Sequence, residues 1–303
     1  MIKRYLLIVT VFFAVNNLKA QEEESLLSFL EAEEQETTDY TIATFKGTRL
    51  INGHSIENPA QGVLQFMIQH RFGRINGGAY ELFGLDNATI RLGFDYGITD
   101  RLAVGIGRSS FEKVYDGYLK YKLLRQSKGA KNMPVSVSIV SGMAVKTLQF
   151  QQPERENLFS SRLYYHHQVL IAQKVTNKFS YQVSPTLVHR NLVETTADKN
   201  DVFALGVGGR YKLTGSLSFN AEYFYLLPNQ IQSPLYGEKA TNALSIGIDI
   251  ETGGHVFQLH LTNSRGMVEN HFITETSGSW NKGDIHFGFN VSRVFTVSKR
   301  KKH

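Results

Sequence analysis

Eight charged side chains lie on the polar faces of segments in which apolar and polar residues alternate, and their types and spacing could do chemistry. Acids and bases that face a water-filled space bind or select ions and polar solutes. In a closed space the same groups would pair with one another and fill it. Both interpretations are open for these eight residues: Arg91, Asp95, Lys120, Lys122, Arg210, Glu222, Asp249 and Glu251.

Strict alternation over about ten residues defines the elements that must position these charges. Residues 88–97 read ATIRLGFDYG, and residues 242–251 and 283–292 repeat the pattern. Each such segment is a strand with one apolar and one polar face, and its length suits a tilted crossing of a bilayer. A lipid-facing Arg or Lys near mid-bilayer costs about 2–4 kcal/mol, so the charged faces must point inward or lie near an interface.

Strand-like segments follow one another from residue 62 to residue 296, with turn signals between them and no helix-length period. The connections mostly alternate short and long, as in outer-membrane barrels. The pattern predicts an all-β protein, an antiparallel up-and-down transmembrane β-barrel of about 12 strands. Residues 44–52 are left over as a periplasmic or lumen-entering extension. Asn52-Gly53 is a type I′ turn signal, and the alternative that it offers is an extension folded back as a hairpin on the next segment.

Three regions are predicted along the chain. Residues 1–20 have basic residues at Lys3 and Arg4, an apolar stretch and a small residue at Ala20, as in a signal peptide. Residues 21–43 form an acidic periplasmic leader, which is either a docking element for a periplasmic partner or a solvated segment. Residues 44–303 form the outer-membrane β-barrel, with the short N-terminal extension and a basic C-terminal tail.

Composition excludes several classes of site and partner. The chain has no cysteine, which excludes disulfides, thiolate metal sites and a lipid-modified N-terminal cysteine. Its formal charge of +6 falls to +3 when Lys3, Arg4 and Lys19 leave with the signal peptide. A charge this small and evenly spread does not indicate nucleic-acid binding.

Metal and catalytic sites have weak support. His166, His260 and His286 fall on polar faces, where they could bind a metal or simply pack in a polar lumen, and no H-x-x-x-H or HExxH spacing exists. Ser184 with His189 is a candidate hydrolase pair, but no G-x-S-x-G accompanies it. We therefore expect no metal, no cofactor and no catalytic residues.

Two segments carry a resemblance to a known family. Residues 48–73 read TRLINGHSIENPAQGVLQFMIQHRFG, and residues 83–109 read FGLDNATIRLGFDYGITDRLAVGIGRS. With HRFG and DYGITDRLAVG as their most specific parts, they resemble an uncharacterised family of Bacteroidetes outer-membrane β-barrel proteins. The resemblance runs from about Thr44 to the last strand and implies a barrel in the outer membrane. It implies no activity.

The expected function is that of an outer-membrane channel or transporter for small solutes, without enzymatic activity. The alternatives are a structural or scaffolding barrel with a filled lumen and, less favoured, an outer-membrane lipid hydrolase. The expected partners are outer-membrane lipid and, through the acidic leader, a periplasmic protein.

Overall fold

A computed structural model describes residues 37–150 and 152–298, and twelve of its strands close into an antiparallel barrel. Neighbours in sequence are neighbours around the barrel, and β14 pairs with β2 to close it. The predicted up-and-down barrel is confirmed. The strands of the described residues are β1 (Thr38–Tyr40), β2 (Val63–Arg74), β3 (Ala88–Gly97), β4 (Leu102–Ser109), β5 (Val114–Leu124), β6 (Ser127–Gly129), β7 (Ser136–Lys146), β8 (Leu163–Lys174), β9 (Phe179–Arg190), β10 (Asp201–Lys212), β11 (Leu217–Leu226), β12 (Ala243–Thr252), β13 (His255–Thr262) and β14 (His286–Thr296).

Helical structure in the described residues is short. It consists of one α-helix, α1 (Glu269–Thr274), and of 3₁₀ turns at Ile75–Gly77, Ala79–Gly84, Phe111–Lys113, Phe159–Arg162 and Trp280–Lys282. Within residues 37–150 and 152–298, no helix has both the length and the apolar character needed to cross a membrane.

A separate small unit contains β1 and β6, which pair antiparallel with Thr38 opposite Gly129. Residues 38–40 fall within the segment predicted as a leader, for which no strand is predicted. The difference arises because the backbone of 38–40 supplies a pairing partner that is distant in sequence. The predicted signal peptide, leader residues 21–36 and tail residues 299–303 lie outside the described residues.

The barrel wall has its polar face buried and its apolar face exposed, the reverse of a water-soluble sheet. On β3, Ile90, Leu92 and Phe94 are 37%, 42% and 43% exposed, whereas Arg91 and Asp95 are 2% and 4% exposed. This inversion is what alternation requires when lipid surrounds the outer face.

Two segments outside the barrel strands lie among the inward-facing side chains of the wall. We call residues 44–57 the plug hairpin and residues 263–285, between β13 and β14, the inward loop. The plug hairpin joins β2 at the barrel end that carries short connections such as residues 98–101 and 253–254. The inward loop enters from the opposite end.

Candidate functional site

The plug hairpin is built from bends and one antiparallel bridge, between Arg49 and His54. The Leu50 N–H donates to the Gly53 carbonyl at 2.9 Å, which sets the turn between them. A hairpin turn is therefore present at Asn52-Gly53, but it folds the extension on itself and not on β2, which pairs with β3 and β14. Of the two positions considered for this extension, the structure has the one inside the lumen. It is not a regular strand, because the N–H groups of Ile51, Asn52 and Gly53 at its tip bond to the barrel wall instead of to the hairpin.

The tip of the hairpin is organised by one carboxylate of the wall. The Glu222 carboxylate of β11 accepts the N–H groups of Asn52 at 2.7 Å, Gly53 at 3.1 Å and Ile51 at 3.2 Å. Three successive N–H groups that point at one anion form a compact anion-binding turn. Neither Asn52 nor Gly53 has the positive φ that a type I′ turn needs, so that predicted turn type is wrong. The carboxylate sets the tip geometry instead.

Side chains of the tip extend this network. The Asn52 amide donates to Ser245 Oγ at 2.9 Å, and its oxygen accepts from Arg71 of β2. The Asn290 amide of β14 donates to the Ile51 carbonyl at 2.9 Å. The tip therefore contacts strands from opposite ends of the sequence.

The structure places all eight charges singled out in the sequence on inward faces, where most of them are tied to the plug hairpin or the residue preceding it. Asp95 accepts from Thr48, Lys120 donates to the Glu57 carbonyl, Lys122 lies 4.0 Å from the Glu57 carboxylate, Arg210 donates to Ala43 and Thr44 carbonyls, Glu222 holds the tip, and Glu251 pairs with Lys46. The other two bond to wall residues instead: Arg91 to Asp116, and Asp249 to Gln258.

The wall pairs depend on residues that the charge pattern did not single out. Arg91 Nε donates to Asp116 Oδ1 at 2.9 Å, and a side chain at Gly107 would overlap the Arg91 guanidinium. Gln258 donates to Asp249 at 2.9 Å and to the Leu50 carbonyl at 2.7 Å. These partners also lie on the polar faces of their strands, and that alternation is the sequence signal from which they could have been predicted.

The inward loop packs against the wall inside the barrel, in part through apolar contacts. Phe272 and Ile273 of α1 are buried in a cluster of inward wall residues, and the Phe272 ring meets the Phe224 ring edge-on at 5.0 Å. Val268 packs against Val114 and Ala144. α1 is too short to be stable alone, so these contacts hold it in place.

The two inserted segments meet at Glu269 of α1. Its carboxylate forms a buried ion pair with Arg49, and His54 Nε2 lies 3.2 Å from Glu269 Oε1. His166 of β8 adds a wall residue, with Nε2 4.0 Å from Oε2. Burial opposes ionisation of Glu269, but Arg49 and His166 hold its pKa below the ordinary value. Burial, followed by the Arg49 charge, keeps the pKa of His54 well below its ordinary value.

A second cluster lies at the end with long connections, centred on Glu112. Its carboxylate accepts from the Tyr236 hydroxyl at 2.8 Å and lies 2.7 Å from Lys146 Nζ and 3.1 Å from His271 Nε2. Burial alone would raise the pKa of Glu112, but His271 and Lys146 lower it to about 2. A mixed polar and aromatic cavity of about 460 Å³, lined in part by Phe111 and Tyr236, opens beside the cluster.

The other sequence candidates are not brought together. Ser184 faces the lumen and is buried, whereas His189 lies on the outer face 2.7 Å from Asp201. The pair therefore cannot share a proton. His260 and His286 are buried on inward faces, and the His286 Nδ1 contacts the Phe72 carbonyl at 2.8 Å.

A family model described as "Membrane bound beta barrel domain (DUF5777)" matches residues 45–295. Among solved structures, the NanC porin aligns over 78% of this chain and 100% of its own, with 8% identity and a TM-score of 0.47. An outer membrane channel from Pseudomonas putida F1 aligns over 78% and 96%, with 13% identity and a TM-score of 0.44. Outer membrane phospholipase A from Escherichia coli aligns over 81% and 96%, with 10% identity and a TM-score of 0.43. Similarities this distant carry no argument about activity. No curated protein matches the chain.

Proposed function

This chain belongs to the membrane bound beta barrel family (DUF5777) and is a β-barrel of the outer membrane, and from that premise we propose that it is a gated channel or transporter for small solutes. The conformation described above is the closed one. The plug hairpin is the gate, and it leaves the lumen towards the periplasm, the side of the short connections.

The observation that carries this proposal is the polar attachment of the hairpin. The N–H groups of its tip donate to the Glu222 carboxylate, and its carbonyl groups accept from the side-chain amides of Asn290 and Gln258. Exchanging a hydrogen bond for water changes the free energy by about 0.5–1.5 kcal/mol for neutral groups and by about 1.5–3 kcal/mol where one group is charged, as at Glu222. Such an attachment can release without exposing a large apolar surface. The apolar part lies away from Glu222, where Phe45, Leu50 and Ile56 pack in one buried cluster with inward-facing wall residues.

A filled structural barrel is the second candidate, and the inward loop favours it. Its buried apolar packing around Phe272 resembles a permanent core. In this alternative both inserted segments stay in place and the barrel serves as a membrane scaffold. We propose no enzymatic activity in either case. The separation of Ser184 from His189 supports that part of the proposal.

Planar-bilayer conductance separates the channel from the scaffold. The variants are the intact chain, a chain in which a short Gly-Ser linker replaces residues 44–57, and a third that also replaces residues 266–276. We expect no conductance from the intact chain, discrete conductance steps from the hairpin deletion and larger conductance steps from the double deletion. Heat-modifiable migration on gels verifies that each barrel is closed.

A folded hairpin deletion that stays silent while the double deletion conducts would overturn the hairpin as the gate. If all three folded proteins are silent, the channel proposal fails and the scaffold is supported. Liposome swelling with neutral and charged sugars then identifies the solute class of any conducting variant.

A further inference from the structure

Three side chains from three separate parts of the fold converge inside the closed lumen. His54 comes from the plug hairpin, His166 from β8 and Glu269 from α1. One ligand atom from each lies within 4.8 Å of the others, and all three residues are buried. Two imidazoles with a carboxylate form a ligand set that binds divalent transition metals, zinc included.

The two histidines have ring nitrogens without partners. Neither nitrogen of His54 has a hydrogen-bond partner, and neither does Nε2 of His166. A buried polar atom without a partner costs about 1–3 kcal/mol, and an ion is one of the few groups that can satisfy it. Gly142 makes room for the His166 ring, because a side chain at that position would overlap it.

We propose that His54, His166 and Glu269 form a binding site for a divalent transition metal ion such as Zn²⁺. The ion joins the plug hairpin, the barrel wall and the inward loop at one point. Zinc bonds to nitrogen and oxygen ligands are about 2.0–2.2 Å long, so the ligand atoms need to close in by about an ångström. The site stands independently of whether the barrel conducts.

The surrounding charges leave room for a cation. The Glu269 carboxylate presents Oε1 to Arg49 and His54 and Oε2 to His166, so it can keep its ion pair and still bind the metal. Of the other nearby cations, Arg91 is paired with Asp116, and Lys120 donates to the Glu57 carbonyl.

A second group of potential ligands, Glu112, His271 and Glu275, lacks these properties. Its central carboxylate is already occupied by Lys146 and Tyr236. Open, unpartnered nitrogens on two different residues distinguish the lumen site.

Metal content after refolding tests the site. The full chain is denatured, stripped with EDTA, refolded in detergent with Zn²⁺ and desalted, and zinc is counted by mass spectrometry. We compare H54N and H166N with H260N, because His260 is also buried in the lumen and lacks partners on both ring nitrogens. Refolding with Co²⁺ provides a visible absorption spectrum that reports the coordination geometry.

We expect about one zinc per chain in the intact protein and in H260N, and its loss in H54N and H166N. The bound ion should resist EDTA until the protein is unfolded, because the site is buried. Zinc retained equally by H54N and H166N would overturn the proposal. So would a heat-modifiable, intact barrel that holds no zinc. If an asparagine variant fails to fold, the cobalt spectrum of the intact protein decides: intense tetrahedral bands support the site, and their absence rejects it.

Discussion

The plug hairpin and the inward loop both lie in the lumen, but the hairpin tip and the Phe272 region of the loop are held there by different contacts. The hairpin tip is held by a carboxylate, amides and a guanidinium that bond its backbone and the Asn52 side chain. The loop is held by aromatic and aliphatic packing around Phe272. Apolar packing has no comparable replacement in water, whereas water can replace hydrogen bonds. This difference supports the proposal that the hairpin tip can release while the Phe272 region of the loop stays in place.

Phe272→Ala should cause the largest loss of stability among these variants. Truncating a buried phenylalanine costs about 3–5 kcal/mol, and the loop should lose its anchor. The check is guanidinium unfolding followed by Trp280, the single tryptophan of the chain, which donates from its indole to the Leu244 carbonyl beside the loop. Phe272→Leu is the control and should cost less than about 1.5 kcal/mol. Equal midpoints for the alanine variant and the parent would show that the loop is not held by packing.

Glu222→Gln weakens the anchor of the hairpin tip, as Phe272→Ala weakens that of the loop. Three N–H groups lose a charged acceptor, so unfolding free energy should fall by about 2–3 kcal/mol. The chain has no cysteine, so Ile51→Cys is a clean reporter of tip exposure. Thiol labelling at position 51 should be faster in the Glu222→Gln background than in the parent. Unchanged labelling and stability would mean that Glu222 does not hold the tip.

Acid should act on the loop side through Glu112. A carboxyl whose folded pKa is depressed stabilises the fold above its unfolded pKa, near 4.5, and loses that contribution as pH falls towards the folded value of about 2. The expected loss across this window is about 1–2 kcal/mol, visible as a falling thermal midpoint. Glu112→Gln should flatten the profile between these pH values. Superimposable profiles of parent and variant would exclude Glu112 as the source.

The pair between Lys46 and Glu251 should contribute least. Its Glu251 side chain is 41% exposed, and exposed ion pairs contribute about 0–1 kcal/mol. A double-mutant cycle with Lys46→Gln and Glu251→Gln measures their coupling energy. A coupling above about 2 kcal/mol would show that the base of the hairpin, and not its tip, anchors the gate.

Alternation was sufficient to predict the wall because lipid imposes one rule on every strand. Ile90, Leu92 and Phe94 must face outward, so Arg91 and Asp95 must face inward, and no tertiary information is needed. The number of strands follows from the same pattern.

The contents of the lumen could not be predicted in this way. Asn52-Gly53 marks a turn, but its anchor Glu222 lies 170 residues away from Asn52 in the chain. Glu269 sits on a six-residue helix with no detectable period. Charges alone also do not distinguish a water-lined surface from a buried network, since both need the same inward faces.

The contacts of the hairpin tip also bear on how the barrel assembles. Arg71 belongs to the first barrel strand and Asn290 to the last, and these two strands form the seam that closes the wall. Both side chains bond the tip, so the tip bridges the seam from inside. When these two strands meet during assembly, the tip offers contacts to both of them in addition to their own ladder.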